Sequence, residues 1–251
     1  MNYFLIAGAI LCFPFFVLFY MYHLARSYEV TEEQINLPVK IQEKKVLFIT
    51  DIHFRKLDKK MFDSFSPVDY VFIGGDIAEK GVPEENIKNN LTILTSLGQV
   101  FFVWGNNDYE FGEDKLRKLL LDYGVILIEN DAHIFEDQEE YWSIAGVEDL
   151  STGRTCAGKA LNSSKGPVIF LTHNPDAAVL TWGRSEVAAV LAGHTHGGQI
   201  RLGPFGIAEK GGWKVRGGNP LFISNGFGTT GIHLRLGAKP QFHLFRLRGK
   251  S

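Results

Sequence analysis

The chain has 251 residues, 45% hydrophobic and 22% charged, a balance that excludes a disordered or fibrous chain and leaves one large domain or two small ones. Its two cysteines, Cys12 and Cys156, rule out a disulfide framework or a Cys-rich zinc site. The net charge of −2 divides unevenly, with 13 Lys and Arg against 25 Asp and Glu in residues 1–150 and 13 against 3 in residues 151–251; the near-neutral total argues against nucleic-acid binding, while the basic second half suits phosphate or an anionic lipid surface.

Residues 3–22, YFLIAGAILCFPFFVLFYMY, form an unbroken 20-residue stretch with no charge before Arg26. At roughly 1.5 Å per residue such a stretch matches the roughly 30 Å hydrocarbon core of a bilayer. Tyr3, Tyr20 and Tyr22 stand where an aromatic belt would lie, and Pro14 is tolerable in a membrane helix. A cleavable signal peptide would need a basic start, a shorter apolar core and a small-residue cleavage site, none of which is evident. Residues 1–25 are therefore predicted to be a single-pass membrane anchor. Arg26, Lys40, Lys44 and Lys45 follow the helix, so the positive-inside rule favours a cytoplasmic domain, although a folded domain translocates regardless of its charges.

Residues 26–40 read as a polar connector, with a short edge strand before Pro38. Apolar runs at 46–50 (VLFIT), 70–74 (YVFIG), 100–104 (VFFVW) and 125–128 (VILI) predict buried strands. Pro83 opens a helix with Ile87, Leu91 and Leu94 on one face, and Gly98 closes it; a second helix, about 113–123, ends at Gly124. This alternation predicts an α/β fold with a mostly parallel sheet. The second half shifts towards β, with a hairpin over HIFEDQEEYWSIAG and strands at 168–172 and 187–192 flanking a short helix near Pro175. Further strands are predicted at QIRL, PLFIS, IHLRL and QFHLFRL, and residues 28–251 read as one domain.

Five short stretches place metal-ligand residues just after predicted strands: Asp51-Ile52-His53, Gly75-Asp76, Gly105-Asn106-Asn107-Asp108, Thr172-His173-Asn174 and Gly193-His194-Thr195-His196. Taken singly, each is ordinary turn chemistry or a packed imidazole. All five in order, each on a strand end, are not coincidence, because the carboxyl ends of strands in α/β sheets are where loops gather and sites form.

This ordered set resembles the calcineurin-like metallophosphoesterase superfamily, whose usual signature is D-x-H, G-D, G-N-H-D, H and G-H-x-H. The extended block GHTHGGQIRLGPFG, followed by SNGFGTTG, is similar to the small membrane-anchored or exported bacterial branch. The resemblance implies a four-layer α/β/β/α sandwich carrying two metal ions. One ion would be held by Asp51, His53, Asp76 and His196. The other would take Asp76 as a shared ligand, with Asn106, His173 and His194. Oxygen and imidazole donors without thiolate suit manganese first, with iron, zinc or nickel as alternatives. A hydroxide shared by two such ions would attack phosphorus in line.

The chain departs from that signature at Asn107, where relatives have a histidine that protonates or orients the leaving group, with Asp108 placed to orient it. Asn107 can donate a hydrogen bond but cannot act as a general acid. Arg201, Phe205, Lys210, Trp213, Lys214 and Arg216 read either as a solvated loop or as a mouth loop for an anionic substrate or lipid headgroup. His23, His133, His233 and His243 lack motif context and read as structural or surface residues. The expected function is a membrane-anchored phosphoesterase acting on phosphoester or pyrophosphate bonds of a small-molecule or lipid-linked substrate. The alternatives are a non-catalytic phosphoesterase-like scaffold and a metal-dependent nuclease.

Overall fold

A computed structural model describes residues 2–250, with side chains from residue 12 onward. In chain order the elements are α1 (Asn2–Arg26), β1 (Glu29–Asn36), β2 (Lys44–Ile49), β3 (Tyr70–Ile73), α2 (Glu84–Leu97), β4 (Gln99–Phe102), α3 (Asn106–Asp122) and β5 (Ile126–Leu127). Then follow β6 (Asp131–Asp137), β7 (Glu140–Gly146), α4 (Ala157–Asn162), β8 (Val168–Leu171), β9 (Val187–Ala192), β10 (Gly212–Arg216), β11 (Asn219–Ile223) and β12 (Gln241–Arg248).

The strands form two six-stranded sheets, ordered β1-β12-β2-β3-β4-β5 and β10-β11-β9-β8-β7-β6. Each is mixed around a parallel centre: β2 to β5 run parallel in the first, and β7, β8, β9 and β11 in the second. Side chains alternate between faces along a strand, so each central strand feeds two apolar layers. Val46 and Phe48 of β2 enter the layer between the sheets, whereas Leu47 and Ile49 face α2 and α3. Ile169 and Leu171 of β8 likewise enter the inter-sheet layer, and Val168 and Phe170 pack on the α4 side. Three apolar layers between four structural layers make the α/β/β/α sandwich. Strands buried on both faces also explain why these segments read as continuous apolar runs rather than as alternating ones.

Several expectations are corrected. The connector strand lies at a sheet edge as expected but is eight residues long, pairing in parallel with the last strand, Glu29 opposite Gln241 through Asn36 opposite Arg248. Helix α3 starts at Asn106, not near 113, because Gly105 caps it and the backbone breaks at Gly112 (φ 116°, ψ 110°) before the periodic part begins. QIRL and IHLRL are not strands; they meet through isolated bridges between Ile200 and Leu236 or Gly237. Residues 212–216, read as loop, form the edge strand β10.

Helix α1 matches the bounds of the predicted anchor, and its described aromatic residues Phe13, Phe15, Phe16, Phe19 and Tyr20 are exposed. Residues 1–11 of that anchor lie outside the residues with described side chains. Among the described residues no helix is long and apolar enough to cross a membrane. The last turn of α1 is seated on the domain: Met21 and Leu24 are buried, and the Arg55 guanidinium donates to the carbonyls of Ala25, Arg26 and Ser27. Arg55 thus satisfies carbonyls that a helix end leaves without partners. A chain beginning at Met21 should therefore keep full stability in urea unfolding. One beginning at Ser27 should lose about 3 kcal/mol, the burial of two apolar side chains.

Candidate metal centre

The carboxyl ends of β2, β3 and β4 in one sheet and of β8 and β9 in the other open on the same edge of the sandwich. All five sequence-predicted stretches leave the sheets there, and their seven proposed ligands converge. His196 Nε2 lies 3.2 Å from His53 Nε2 and 3.3 Å from Asp51 Oδ1. His173 Nε2 lies 3.1 Å from Asp76 Oδ2 and 3.2 Å from His194 Nδ1, which is 3.0 Å from Asn106 Oδ1. Two sets of three ligand atoms each fall mutually within 4.8 Å: Asp51, His53 and His196, and Asp51, Asp76 and His173. Asp51 appears in both sets, yet its close imidazole neighbours, His196 at 3.3 Å and His53 at 3.9 Å, belong to the first. Asp76 Oδ2 stands between the two groups, 3.1 Å from His173 and 3.8 Å from His53.

These spacings suit metal ions. Ligands about 2.1 Å from one ion and at right angles to each other lie about 3 Å apart. Imidazole nitrogens facing each other beside carboxylates need a cation between them more than they need each other. Asp51, His53 and His173 are completely buried and Asp76 nearly so, whereas His194 is exposed at the mouth. His173 Nδ1 donates to the Gly74 carbonyl at 2.9 Å, which leaves Nε2 free to act as a ligand. Glu79 Oε2 sits 3.1 Å from His53 Nδ1 at ion-pair distance, without hydrogen-bond alignment.

The backbone is bent to bring these atoms inward. Nine non-glycine residues among those described have positive φ, and five of them are Asp51, His53, Asp76, His194 and His196. Such residues cost of order 1–3 kcal/mol each and persist where a site demands them. Two glycines make room for the carboxylates: a Cβ at Gly105 would run into Asp76, and one at Gly193 into Thr50 and Asp51.

Asn107 and Asp108 have different surroundings from those expected. The Asn107 backbone N–H donates to Asp76 Oδ1 at 2.8 Å, and its side-chain amide donates to Asp76 Oδ2 at 2.6 Å. Asp108 is fully buried, and its two oxygens accept from the backbone N–H groups of Asp76, Gly105 and Ala78. Both residues hold Asp76 in place. Sequence reasoning missed Thr50, whose hydroxyl donates to Asp51 and the Gly74 carbonyl, and Glu79, signalled only by its place three residues after Asp76. It also missed Arg235, which is fully buried and donates to the carbonyls of His196, Asn225, Gly228 and Ala238, with Nη2 3.1 Å from His196 Nδ1. No local pattern marks it. Arg201, read either as a solvated loop residue or as part of a mouth loop, is buried and donates to the carbonyls of Gly197, Pro204 and Ala208, knitting its own loop. His243 is structural as expected, lying 2.7 Å from both the Thr31 and Ser224 hydroxyls.

The protonation pattern follows from this crowding. Burial opposes a charge on His173, but the charge and hydrogen bond of Asp76, with Asp51 behind, outweigh it and push the ring up to about 10. Asp76 is correspondingly held below the usual carboxylate range, because His173, His53 and Asn107 overcome the effect of its burial. Burial, with His53 and Arg235 nearby, presses His196 down to about 3, and burial with His173 also lowers His194. Burial and the Asp76 charge raise Asp108 to about 7 against its backbone donors. His194 and His196 are therefore neutral at pH 7, while His173 carries a proton that a metal must displace. Burial opposes a charge on His53 as well, but Glu79, Asp76 and Asp51 outweigh it and raise that ring too. Metal affinity should therefore rise by at least about tenfold per pH unit between pH 6 and 8. Calorimetry at pH 7 in buffers of different ionisation enthalpy should count at least about one proton released on metal binding; a count of zero would contradict this pattern.

Comparison with known proteins agrees with the geometry. The model of the calcineurin-like phosphoesterase family matches residues 44–198. YpbG of Bacillus subtilis (strain 168), itself uncharacterised, is 39% identical over 211 residues, spanning 81% of this chain and 81% of YpbG. Phosphodiesterase YaeI of Escherichia coli (strain K12) is 25% identical over 224 residues, spanning 81% of this chain and 82% of YaeI. A solved 5'-nucleotidase precursor from Thermus thermophilus shares the fold, with a TM-score of 0.54 at 11% identity over 82% of this chain and 54% of that one. The chain thus spans about half of that structure. With more than half of its length matched by the family model and its ligand residues gathered at one sheet edge, the chain belongs to the calcineurin-like phosphoesterase family and is a metallophosphoesterase, a hydrolase of phosphate esters.

Proposed function

We propose that the protein binds two divalent metal ions and hydrolyses phosphodiester or pyrophosphate linkages in a membrane-associated substrate. The observation that carries this reading is the meeting of seven oxygen and nitrogen donors from five strand ends, with Asp76 Oδ2 placed between two groups of imidazoles. Asp51, His53, Asp76 and His196 would hold one ion, and Asp76, Asn106, His173 and His194 the other. The donor set suits manganese, with iron, zinc or nickel as alternatives. Two such ions supply charge neutralisation at the phosphoryl oxygens and lower the pKa of an attacking water.

The chain's own residues determine the rest. Asn107 holds the Asp76 carboxylate and Asp108 holds the Asp76 backbone N–H, so the carboxylate needs no rearrangement when a substrate arrives. Exposed His194 and Thr195 beside it border the opening through which a phosphate would enter. The similarity to YaeI, named a phosphodiesterase, supports the choice of a diester. The exposed aromatic residues of α1 support a membrane-facing role for that helix.

Metal analysis together with hydrolysis of bis(4-nitrophenyl) phosphate after manganese loading tests the proposal. Asp76→Ala should lose most bound metal from both positions and reduce turnover by at least about 10²–10³-fold. Two metals per chain and wild-type turnover in that variant would rule out the shared-ligand assignment.

Asn107 has no proton to give and spends its amide on Asp76, so the leaving group departs without an acid at this position. Rates should fall steeply as the leaving group becomes more basic, with alkyl esters slower by about 10²–10⁴-fold than a positioned acid would allow. Asn107→His should flatten that dependence and speed alkyl esters more than aryl ones. The backbone N–H on Asp76 Oδ1 survives the substitution, so metal content should hold. An unchanged leaving-group slope with the metals retained would show that another group supplies the proton.

A further inference from the structure

Beside the metal-ligand cluster lies a cavity of about 770 Å³, within the range of small-molecule sites. His194 and His196 form part of its wall, so anything bound there touches the reacting centre. Ile200, Ile207, Ala208 and Ile232 form an apolar part of the remainder, beside Asn174, Gln199 and Thr230. Ile207 is 94% exposed and Ile232 62% exposed, which places two large apolar side chains in water at the rim of an active site. Neither supports the fold, and nothing else in the described chain covers them.

The charges on this wall narrow the choice of ligand. Its one guanidinium, Arg216, is already engaged, with Nη2 2.6 Å from Glu209 Oε2 and Nη1 3.5 Å from Asp176 Oδ1. With two carboxylates against one cation, the cavity repels a second phosphate or a carboxylate. Of the wall's neutral polar side chains, Gln199 spends its amide on the backbone of Thr230 and Ile232, and Asn174 Oδ1 accepts from the Asp176 N–H, which leaves a sugar or nucleoside few free partners. An alkyl chain meets neither objection and would take Ile207 and Ile232 out of water.

We propose that this cavity is the subsite for an alkyl chain on the phosphodiester substrate, with Ile207 and Ile232 setting the preference for chain length. This rests on the phosphoesterase reading above and names its substrate class as an alkyl phosphodiester. In hydrolysis, water forms one new P–O bond, the bond to the second ester group breaks, and the departing oxygen takes a proton. The alkyl phosphate is retained until release.

Calorimetric binding of methyl-, butyl- and hexylphosphonate to the manganese-loaded full chain tests the subsite without turnover. Affinity should rise about threefold per methylene, reaching about 10²-fold between methyl and hexyl. Ile207→Asn and Ile232→Asn, which add no charge, should each cut hexylphosphonate affinity by about tenfold. Both should leave methylphosphonate affinity within about twofold. Affinity independent of chain length, or a slope retained in both variants, overturns the proposal. Absence of 4-nitrophenyl methyl phosphate hydrolysis by the wild type would instead count against the phosphoesterase reading, because the binding slope is measured separately. The chain could belong to a membrane phospholipid or to a soluble alkyl phosphate. Displacement of hexylphosphonate by dioleoylphosphatidylglycerol vesicles assigns it to the former and indifference to vesicles to the latter, and both results uphold the subsite.

Discussion

Two carboxylates, Asp51 and Asp76, are almost completely removed from water where the two sheets meet, and the architecture around them is organised by that fact. An unpaired buried carboxylate is costly enough that it would normally neutralise itself. Here Thr50, Asn107 and the backbone N–H of His194 donate to the pair, and imidazoles crowd around it. These contacts leave a concentrated set of donor atoms that a divalent cation satisfies better than protons do. Remove the sandwich and no segment of the chain has reason to keep these groups together.

The support is layered. Strands with both faces buried hold the loop ends rigidly, left-handed backbone at five of the cluster residues turns side chains inward, and Gly105 and Gly193 allow close approach. Behind these, Asp108 binds three backbone N–H groups and Arg235 binds a ring of carbonyls. Arg235 is a buried cation compensated by carbonyl oxygens and ties the His196 loop to the 225–228 loop. Where a buried charge is matched this way, removing one partner costs more than the pair contributes.

The surface of the same edge is also uneven. Helix α1 ends against Arg55, two residues after His53, and carries exposed aromatic residues. The cavity beside His194 has Ile200, Ile207 and Ile232 in its wall. The exposed Ile207 and Ile232 in that wall underlie the proposed preference for an alkyl phosphodiester.

The sequence by itself determined the ordered set of candidate ligands, the strands that precede them and the helix from residue 84 to 97, because these depend on local signals. A buried strand is an apolar run, Pro83 and Gly98 punctuate a helix, and ligand residues stand just beyond strand ends. The tertiary structure alone decided that β1 pairs with β12, over 200 residues distant, and that 212–216 is an edge strand, since pairing partners leave no trace in a segment's own pattern. It also decided the surroundings of Asn107, Asp108, Arg201 and Arg235. Whether a polar side chain faces a substrate, a carboxylate or a carbonyl depends on which distant backbone lies within about 3 Å of it. No spacing along the chain encodes that distance.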